Sequence, residues 1–291
     1  MTKRNAYVII YLYIMKNTPN FEHPFYDIPG PIAVAHRGGD AAGREKENSM
    51  AAFESAQQAG FIYGETDTIA TKDGVPLAFH GSRTEKIARE TGLPLRDEVQ
   101  NLTLAEVKEL YRIGGEAIPT LEEVLTTFPD MRFFIDPKTE EVVKPLGQLI
   151  ARLHVQDRVS VAAFSYERTK AVSAELPNSQ RDLCTGLAVM GSMALVGLGL
   201  RLTEPISREY FKHTKANALQ VPHYLVTPNI IEKAHDLGIH VVVWPKDKTY
   251  DTTDYMHDAL DRGVDGLMSD HTNLLKYILL SRDPDNESIK H

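Results

Sequence analysis

The chain has 291 residues, which is enough for one large α/β barrel or for two ordinary domains. Its apolar fraction of 42% and charged fraction of 25% are those of a globular protein that can build a core without staples. The formal net charge of −8 disfavours nucleic acid as a partner, because nucleic-acid-binding domains usually present a basic surface. A single cysteine, Cys184, excludes a disulfide framework and a thiolate metal cluster.

The first 30 residues precede the first predicted strand, and we expect them to form an N-terminal arm or extension. An apolar run at 6–15 follows Lys3 and Arg4 and is similar to the start of a signal peptide. No small-residue cleavage site follows this run, and the run is too short to span a bilayer. A second apolar stretch, 187–200, is also too short, and we expect a strand that continues into an exposed loop. The sequence therefore predicts a cytoplasmic protein without a transmembrane segment, with peripheral membrane association as an alternative.

Short β-branched runs alternate with helical segments along the remainder of the chain, a pattern typical of parallel βαβ units. The predicted strands are 32–36, 62–68 followed by 76–80, 132–136, 159–164, 183–189, 218–221, 240–244 and 266–269. The predicted helices are 49–59, 121–127, 140–153, 166–175, 228–237 and 253–262, with Ser165 and Thr227 as helix starts. This alternation predicts a (β/α)8 TIM barrel in a single domain over 31–291.

Residues 81–115 interrupt the alternation and are predicted to form a small insertion after the second strand. We expect polar loops and one short helix there. Thr103 begins this helix and Glu106 follows three residues later, which is the pattern of a capping box.

Polar residues stand at the ends of several predicted strands, where barrel enzymes carry their sites. The first strand ends in His36-Arg37-Gly38-Gly39. A histidine at a strand end can be an acid, a base or a ligand, and an arginine beside it offers a planar fork for a phosphate. Taken alone, this segment is better explained as a capped strand end with a solvated arginine.

The second strand carries Glu65 and Asp67, whose spacing places both side chains on one face of the strand. Two carboxylates on one face repel each other unless a cation lies between them, and a hard divalent cation is a natural partner. A pair of solvated surface carboxylates is the alternative, but the apolar neighbours indicate burial. An Asp73-Gly74 turn signal follows, and the returning chain could bring His80 to the level of the two carboxylates.

The third strand ends in Asp136-Pro137-Lys138. Asp136 could complete a three-carboxylate site, and Lys138 could hold a phosphate as a point charge. His223 follows a later strand and is a further candidate for lining the pocket, whereas His235 and His240 are expected to be packing residues.

Taken in order, these motifs resemble those of the glycerophosphodiester phosphodiesterase family of bacterial type. The resemblance is carried by His36-Arg37-Gly38, Glu47-Asn48-Ser49, Glu65-x-Asp67, the turn at 71–74, Phe79-His80, and the segments 118–125, 136–138, 220–222, 234–238, 243–244 and 263–270. It covers residues 32–270, and it is specific because many ordered motifs agree at once.

The resemblance implies a TIM barrel that hydrolyses a small-molecule glycerophosphodiester to glycerol 3-phosphate and an alcohol. It implies that His36 and His80 are the general acid and base, and that the glycerol 2-hydroxyl attacks phosphorus to give a cyclic phosphate that water opens. It also implies one divalent cation, calcium or magnesium. The metal ligands it implies are Glu65, Asp67 and Asp136; the substrate-binding residues are Arg37, Lys138 and Trp244; the supporting residue is Glu47.

Two positions depart from the family pattern. Gly81 follows the second histidine where the family commonly has Asp, and Asp136 stands where the family commonly has Glu, which is one methylene longer. Two other functions stay open. One is a lysophospholipase D-like hydrolysis of lysolipids, for which the apolar stretch 190–200 could line a groove. The other is a weakly active barrel that binds a phosphorylated ligand.

Overall fold

The computed structural model describes residues 23–27, 30–163, 165–180, 183–187, 216–245 and 248–282. The apolar run at 6–15 and the stretch 188–200 lie outside these residues. No helix within the described ranges is long and apolar enough to cross a membrane.

Eight parallel strands close into a barrel, as the alternating pattern predicts. The strands of the described residues are β1 Ile32–Ala35, β2 Tyr63–Ala70, β3 Pro76–Ala78, β4 Arg112–Ile113, β5 Glu116–Ala117, β6 Arg132–Pro137, β7 Val159–Ala163, β8 Cys184–Leu187, β9 Ala218–Pro222, β10 His240–Trp244 and β11 Gly266–Ser269. Around the barrel the order is β1, β2, β6, β7, β8, β9, β10 and β11, and β11 pairs with β1 to close it. The fold is therefore the predicted (β/α)8 barrel.

Helices follow the strands and cover the barrel. Those that fall within the described ranges are α1 Met50–Gln58, α2 Glu85–Thr91, α3 Arg96–Gln100, α4 Leu104–Leu110, α5 Leu121–Thr127, α6 Val143–Leu153, α7 Tyr166–Ala174, α8 Pro228–His235, α9 Thr253–Arg262 and α10 Thr272–Arg282. The predicted starts of α7 and α8 are confirmed, because Ser165 and Thr227 each accept a hydrogen bond from the backbone N–H three residues on. The sequence does not predict α10.

The insertion after β2 and β3 contains more helix than the sequence predicts. The capping box of α4 is confirmed, since Glu106 accepts a hydrogen bond from the Thr103 N–H at 2.7 Å. Two further helices, α2 and α3, precede it, and both are too short and polar to show an apolar period. Val99 and Val107 of the insertion are buried in one cluster with Phe79. The insertion therefore packs against the segment that carries His80.

The opposite end of the barrel is plugged by residues that the sequence places in the N-terminal arm. Phe25 and Tyr26 are buried in a 3-10 turn, Pro24–Tyr26. The Phe25 ring packs edge-on against Tyr63 and Phe134, with ring centroids 5.4 Å and 4.9 Å away. In the described part of the chain, this end of the barrel is filled, and the space for a ligand is at the carboxyl ends of the strands.

Candidate active site

A pocket of about 330 Å³ opens at the carboxyl ends of the barrel strands. Eight of the predicted site residues line it: His36, Arg37, Glu65, Asp67, His80, Asp136, Lys138 and Trp244. The ninth, Glu47, lies behind the pocket and accepts a hydrogen bond from Arg37 Nη1 at 3.0 Å. The structure thus brings the residues of the separate sequence motifs into one place.

Arg37 sits in a strained backbone conformation that its neighbours hold in place. The 3-10 turn His36–Gly38 follows β1, so the strand ends one residue earlier than predicted, and Arg37 has a φ of +53°, in the left-handed region. The Arg37 N–H donates to Glu65 at 3.2 Å, and its Nε lies 2.7 Å from Asp67 Oδ2. Such strain persists where the surroundings fix it, often at functional sites.

The predicted Glu47-Asn48-Ser49 motif has three separate structural roles. Glu47 pairs with Arg37. The Asn48 side chain is buried and accepts a hydrogen bond from Thr66 Oγ1 at 2.8 Å, which ties the motif to the middle of β2. Ser49 caps α1 by accepting a hydrogen bond from a backbone N–H of the first turn. The motif thus links α1 to β2 and to the turn that follows β1.

His36 is oriented by the carboxylate of Asp270, a residue that is not among the predicted site residues. Its Nδ1 lies 2.5 Å from Asp270 Oδ1, and its Nε2 lies 3.6 Å from Glu65 Oε2. A carboxylate at Nδ1 requires the proton on that nitrogen, so Nε2 is the nitrogen that faces the pocket. Burial, together with Arg37, lowers the pKa of His36, but Glu65 and Asp270 outweigh both and the pKa is raised overall.

Asp270 is in turn held by Asp251, a buried aspartate in the loop after β10. The Asp270 N–H donates to Asp251 Oδ2 at 2.8 Å, and Ser269 Oγ donates to the two Asp251 oxygens at 3.0 Å and 2.9 Å. Asp270 ends a segment that carries the family resemblance, which is the signal that could have found it. Asp251 belongs to no motif.

Glu65 and Asp67 both point into the barrel and are buried, as their spacing predicts. β2 and β6 pair in a register that sets Asp67 beside Asp136. The Lys138 ammonium lies 2.5 Å from Asp67 Oδ1 and also contacts Asp136 Oδ2. Burial and the neighbouring Asp67 raise the pKa of Glu65 to about 7. Arg37 and Lys138 overcome the effect of burial on Asp67 and hold its pKa well below the usual range.

The predicted return of the chain to His80 is confirmed. β3 runs antiparallel to β2, and the Phe79 N–H donates to the Asp67 carbonyl at 2.9 Å, which sets His80 at the level of Asp67. The His80 carbonyl accepts two hydrogen bonds from Arg96, one from Nε at 2.9 Å and one from Nη2 at 2.7 Å. Burial lowers the pKa of His80 to about 3.

The glycine after the second histidine has a conformational reason in this chain. Gly81 has a φ of +67°, which favours glycine. A Cβ at this position would lie 2.6 Å from the Phe79 ring and 3.1 Å from Arg96 Cα. An aspartate here would therefore be both strained and crowded, so this segment could not carry the usual family residue without moving.

The donor set fits a hard divalent cation in its chemistry. Among the described residues, no three His, Cys, Asp or Glu side chains are close enough together to bind one metal ion as they stand. The Lys138 ammonium lies between Asp67 and Asp136. Carboxylate oxygens are the ligands that calcium and magnesium prefer. Asp136 Oδ1 is buried without a hydrogen-bond partner in the described part of the chain, which leaves one oxygen ready for a cation.

The remaining histidine predictions have mixed outcomes. His223 is absent from the residues that line the pocket; its ring packs against Tyr255 with a centroid distance of 4.8 Å. Neither His235 nor His240 lines the pocket; His240 packs as expected, whereas His235 pairs with a carboxylate. His235 Nε2 lies 2.8 Å from Asp265 Oδ2, and the His240 ring lies 4.1 Å from the Tyr26 ring at the plugged end of the barrel.

The family is decided by a comparison that spans the whole barrel. Residues 36–274, from the first pocket histidine into α10, match the model of the glycerophosphoryl diester phosphodiesterase family. The chain belongs to this family. The match contains every residue that lines the pocket.

Individual relatives agree with this membership. This chain is 33% identical to a Mycobacterium tuberculosis protein named "Probable glycerophosphodiester phosphodiesterase 2", and the match covers 87% of this chain and 92% of the relative. It is 26% identical to a human lysophospholipase D over 84% of this chain and 85% of the relative. A putative glycerophosphodiester phosphodiesterase from Galdieria sulphuraria has the same fold, with a TM-score of 0.70 at 24% identity, over 87% of this chain and 99% of that one.

Proposed function

We propose that this phosphodiesterase family member hydrolyses glycerophosphodiesters to glycerol 3-phosphate and an alcohol. The observation that carries the proposal is that His36 and His80 line one pocket together with the cationic side chains of Arg37 and Lys138. Two imidazoles can move protons to and from oxygen, and two fixed cations can hold a phosphate between them. The name of the Mycobacterium tuberculosis relative supports the same activity.

Each residue then has a task. Arg37 and Lys138 bind the phosphate and offset the charge that grows on its oxygens. One histidine takes the proton of the glycerol 2-hydroxyl as that oxygen bonds to phosphorus, and the other protonates the alcohol oxygen as its bond to phosphorus breaks. Water then attacks the cyclic phosphate with the roles of His36 and His80 reversed, and the bond from phosphorus to the 2-oxygen breaks. Trp244 forms one wall of the pocket.

We also propose that Glu65, Asp67 and Asp136 hold one divalent cation, calcium or magnesium. When bound, the cation would act as a Lewis acid on the phosphoryl oxygens. Three inward-facing carboxylates and the unpartnered Asp136 Oδ1 support the proposal. Lys138 neutralises Asp67 and Asp136 in the structure, and a cation would release its ammonium for the phosphate. We further propose a cytoplasmic location, with peripheral membrane association as the alternative; the buried free thiol of Cys184 is compatible with a reducing compartment.

A lysophospholipase D-like hydrolysis of lysolipids is the second candidate. The human relative of that name favours it, while the apolar segment 190–200 that could line a lipid groove lies outside the described residues. A barrel that only binds a phosphorylated ligand is less consistent with a pocket that contains both histidines.

A substrate panel separates these functions. Glycerophosphocholine, glycerophosphoethanolamine and lysophosphatidylcholine are each offered with calcium or magnesium, and again after chelation. We expect the highest kcat/KM for the soluble diesters and loss of activity with chelator. A higher kcat/KM for the lysolipid would support the second candidate, and no turnover of any of them would overturn the catalytic proposal.

A further inference from the structure

Gln220 on β9 lines the pocket but has no task in the proposed reaction. Its strand neighbours Leu219 and Val221 belong to the core between the barrel and the helices, so Gln220 points inward. The residue is only 8% exposed, and its Nε2 is fully buried without a hydrogen-bond partner among the residues that the structure describes. Leaving a buried amide unpaired costs free energy, so its presence points to a ligand group.

The neighbouring strands leave space for this amide. A Cβ on Gly186 of β8 would lie 2.5 Å from Gln220 Nε2 and 2.8 Å from the Ala162 Cβ of β7. The φ of Gly186 is not positive, so its backbone conformation does not require glycine. The glycine is needed because a side chain at this position would collide with the Gln220 amide. The small residues of β7 and β8 thus leave room inside the barrel for the amide of Gln220, which lies over Gly186.

Three uncharged residues among those that the structure describes line the same pocket as Gln220. Phe134 and Met268 line the pocket one inward position below Asp136 and Asp270 on their strands, and Ala162 lines it from β7. We name these three residues together with Gln220 the pocket floor. An amide that both donates and accepts, in an apolar setting, matches a neutral hydroxyl group better than a phosphate.

Within the pocket floor, Gln220 is the residue farthest around the barrel from Glu65 and Asp67. β9 is four strands from β2 in either direction around the eight-stranded barrel, so Gln220 projects from the wall opposite Glu65 and Asp67. Arg37 and Lys138 follow β1 and β6, which flank β2. A substrate whose phosphate lies at these cations can extend one uncharged end to the opposite wall.

We infer that Gln220 is a specificity-determining residue that hydrogen-bonds the terminal hydroxyl of the substrate's glycerol. The inference rests on the proposed function. The glycerol end is the same in every substrate of this class and can occupy the pocket floor, whereas the departing alcohol varies and needs a path to the open mouth of the pocket. The terminal hydroxyl forms no bond to phosphorus. Its hydrogen bond with Gln220 would therefore favour glycerol over other alcohols at this end of the substrate, while the two histidines transfer the protons.

The test compares two substrates in two proteins. Glycerophosphocholine is compared with its ethylene glycol analogue, which keeps the attacking hydroxyl but lacks the terminal hydroxymethyl group. We expect the unmodified protein to prefer the glycerol substrate by about 10-fold or more in kcat/KM. Gln220→Met, which keeps a similar volume without the amide, should lose that factor on the glycerol substrate and little on the analogue.

Gly186→Ala is a second variant, because its Cβ would displace the same amide; it should show the same pattern if Gln220→Met does not fold. An equal loss on both substrates would mean a structural role and would overturn the inference. A loss that depends on choline or ethanolamine as the departing alcohol would also overturn it, since Gln220 would then contact the other end. Absence of turnover by the unmodified protein on both substrates would instead overturn the proposed function, and the inference with it.

Discussion

Asp270 Oδ1 lies 2.5 Å from Nδ1 of His36, and Asp251 holds Asp270 by accepting a hydrogen bond from its backbone N–H. A carboxylate therefore fixes the ring orientation and tautomer of one of the two pocket histidines. The other, His80, is fixed through its backbone, since Arg96 binds its carbonyl and Phe79 is bonded to Asp67. Different contacts thus position the two histidines: side-chain contacts for His36 and backbone hydrogen bonds for His80. Each set of contacts can be tested separately.

Asp270→Asn should lower kcat by roughly 100-fold or more, with a smaller change in KM. The amide can present a donor to Nδ1, which would place the proton on the nitrogen that faces the pocket. Steady-state kinetics on glycerophosphocholine measures the effect. Asp40→Asn is a matched control, because Asp40 pairs with His271 Nδ1 at 2.6 Å outside the pocket, and it should leave activity nearly unchanged. An unchanged kcat in Asp270→Asn would remove its orienting role.

Arg96→Met should lower kcat by about 10-fold while KM changes less, because two hydrogen bonds to the His80 carbonyl are lost. Arg96→Lys should recover part of the activity, since an ammonium can replace one of the two bonds. Arg89→Met removes an exposed arginine from the neighbouring helix α2 and serves as the control. If Arg96→Met kept full kcat, the insertion would not position His80.

Gly81→Ala should destabilise the fold more than Gly92→Ala. Both glycines have a positive φ, +67° and +70°, but a Cβ at Gly81 meets the Phe79 ring, whereas nothing lies within 4 Å of a Cβ at Gly92. We expect about 1 kcal/mol of destabilisation at Gly92 and more at Gly81, measured by chemical denaturation. Equal losses in the two variants would show that crowding at Gly81 is unimportant.

Calcium or magnesium should raise the Tm of the protein, because a ligand that binds only the folded state stabilises it by about 2.7 kcal/mol at a hundredfold excess over its Kd. The double variant Glu65→Gln, Asp136→Asn should lose this shift, since the two amides remove negative charge from the ligand set. Glu54→Gln, at an exposed position on α1, should keep it. A shift that persists in the double variant would place the cation elsewhere.

The sequence predicts the barrel and most of the site because both depend on local patterns. The alternation of strands and helices predicts the architecture, and the two-residue spacing of Glu65 and Asp67 predicts their shared face. The Asp73-Gly74 turn signal predicts the return to His80, because a tight turn leaves few other paths for the chain. The first strand is predicted one residue too long, since the strained turn at Arg37 depends on tertiary partners.

Other features depend on contacts between distant segments, and no local pattern encodes them. Asp251 reaches the end of β11 from the preceding loop, and Arg96 reaches His80 from an insertion whose helices α2 and α3 lack an apolar period. Gln220 lies in a motif of the family resemblance, but the sequence does not show that its buried amide lies beside Gly186 without a hydrogen-bond partner among the described residues.

Product analysis of glycerophosphocholine cleavage tests the proposed reaction most directly. The purified protein is incubated with this diester and calcium or magnesium, and the phosphorus-containing product is identified by 31P NMR. We predict glycerol 3-phosphate and choline, with a cyclic glycerophosphate as a transient species, and no products from His36→Ala or His80→Ala. Release of phosphocholine and glycerol, or undiminished turnover by either histidine variant, would contradict the two-histidine mechanism.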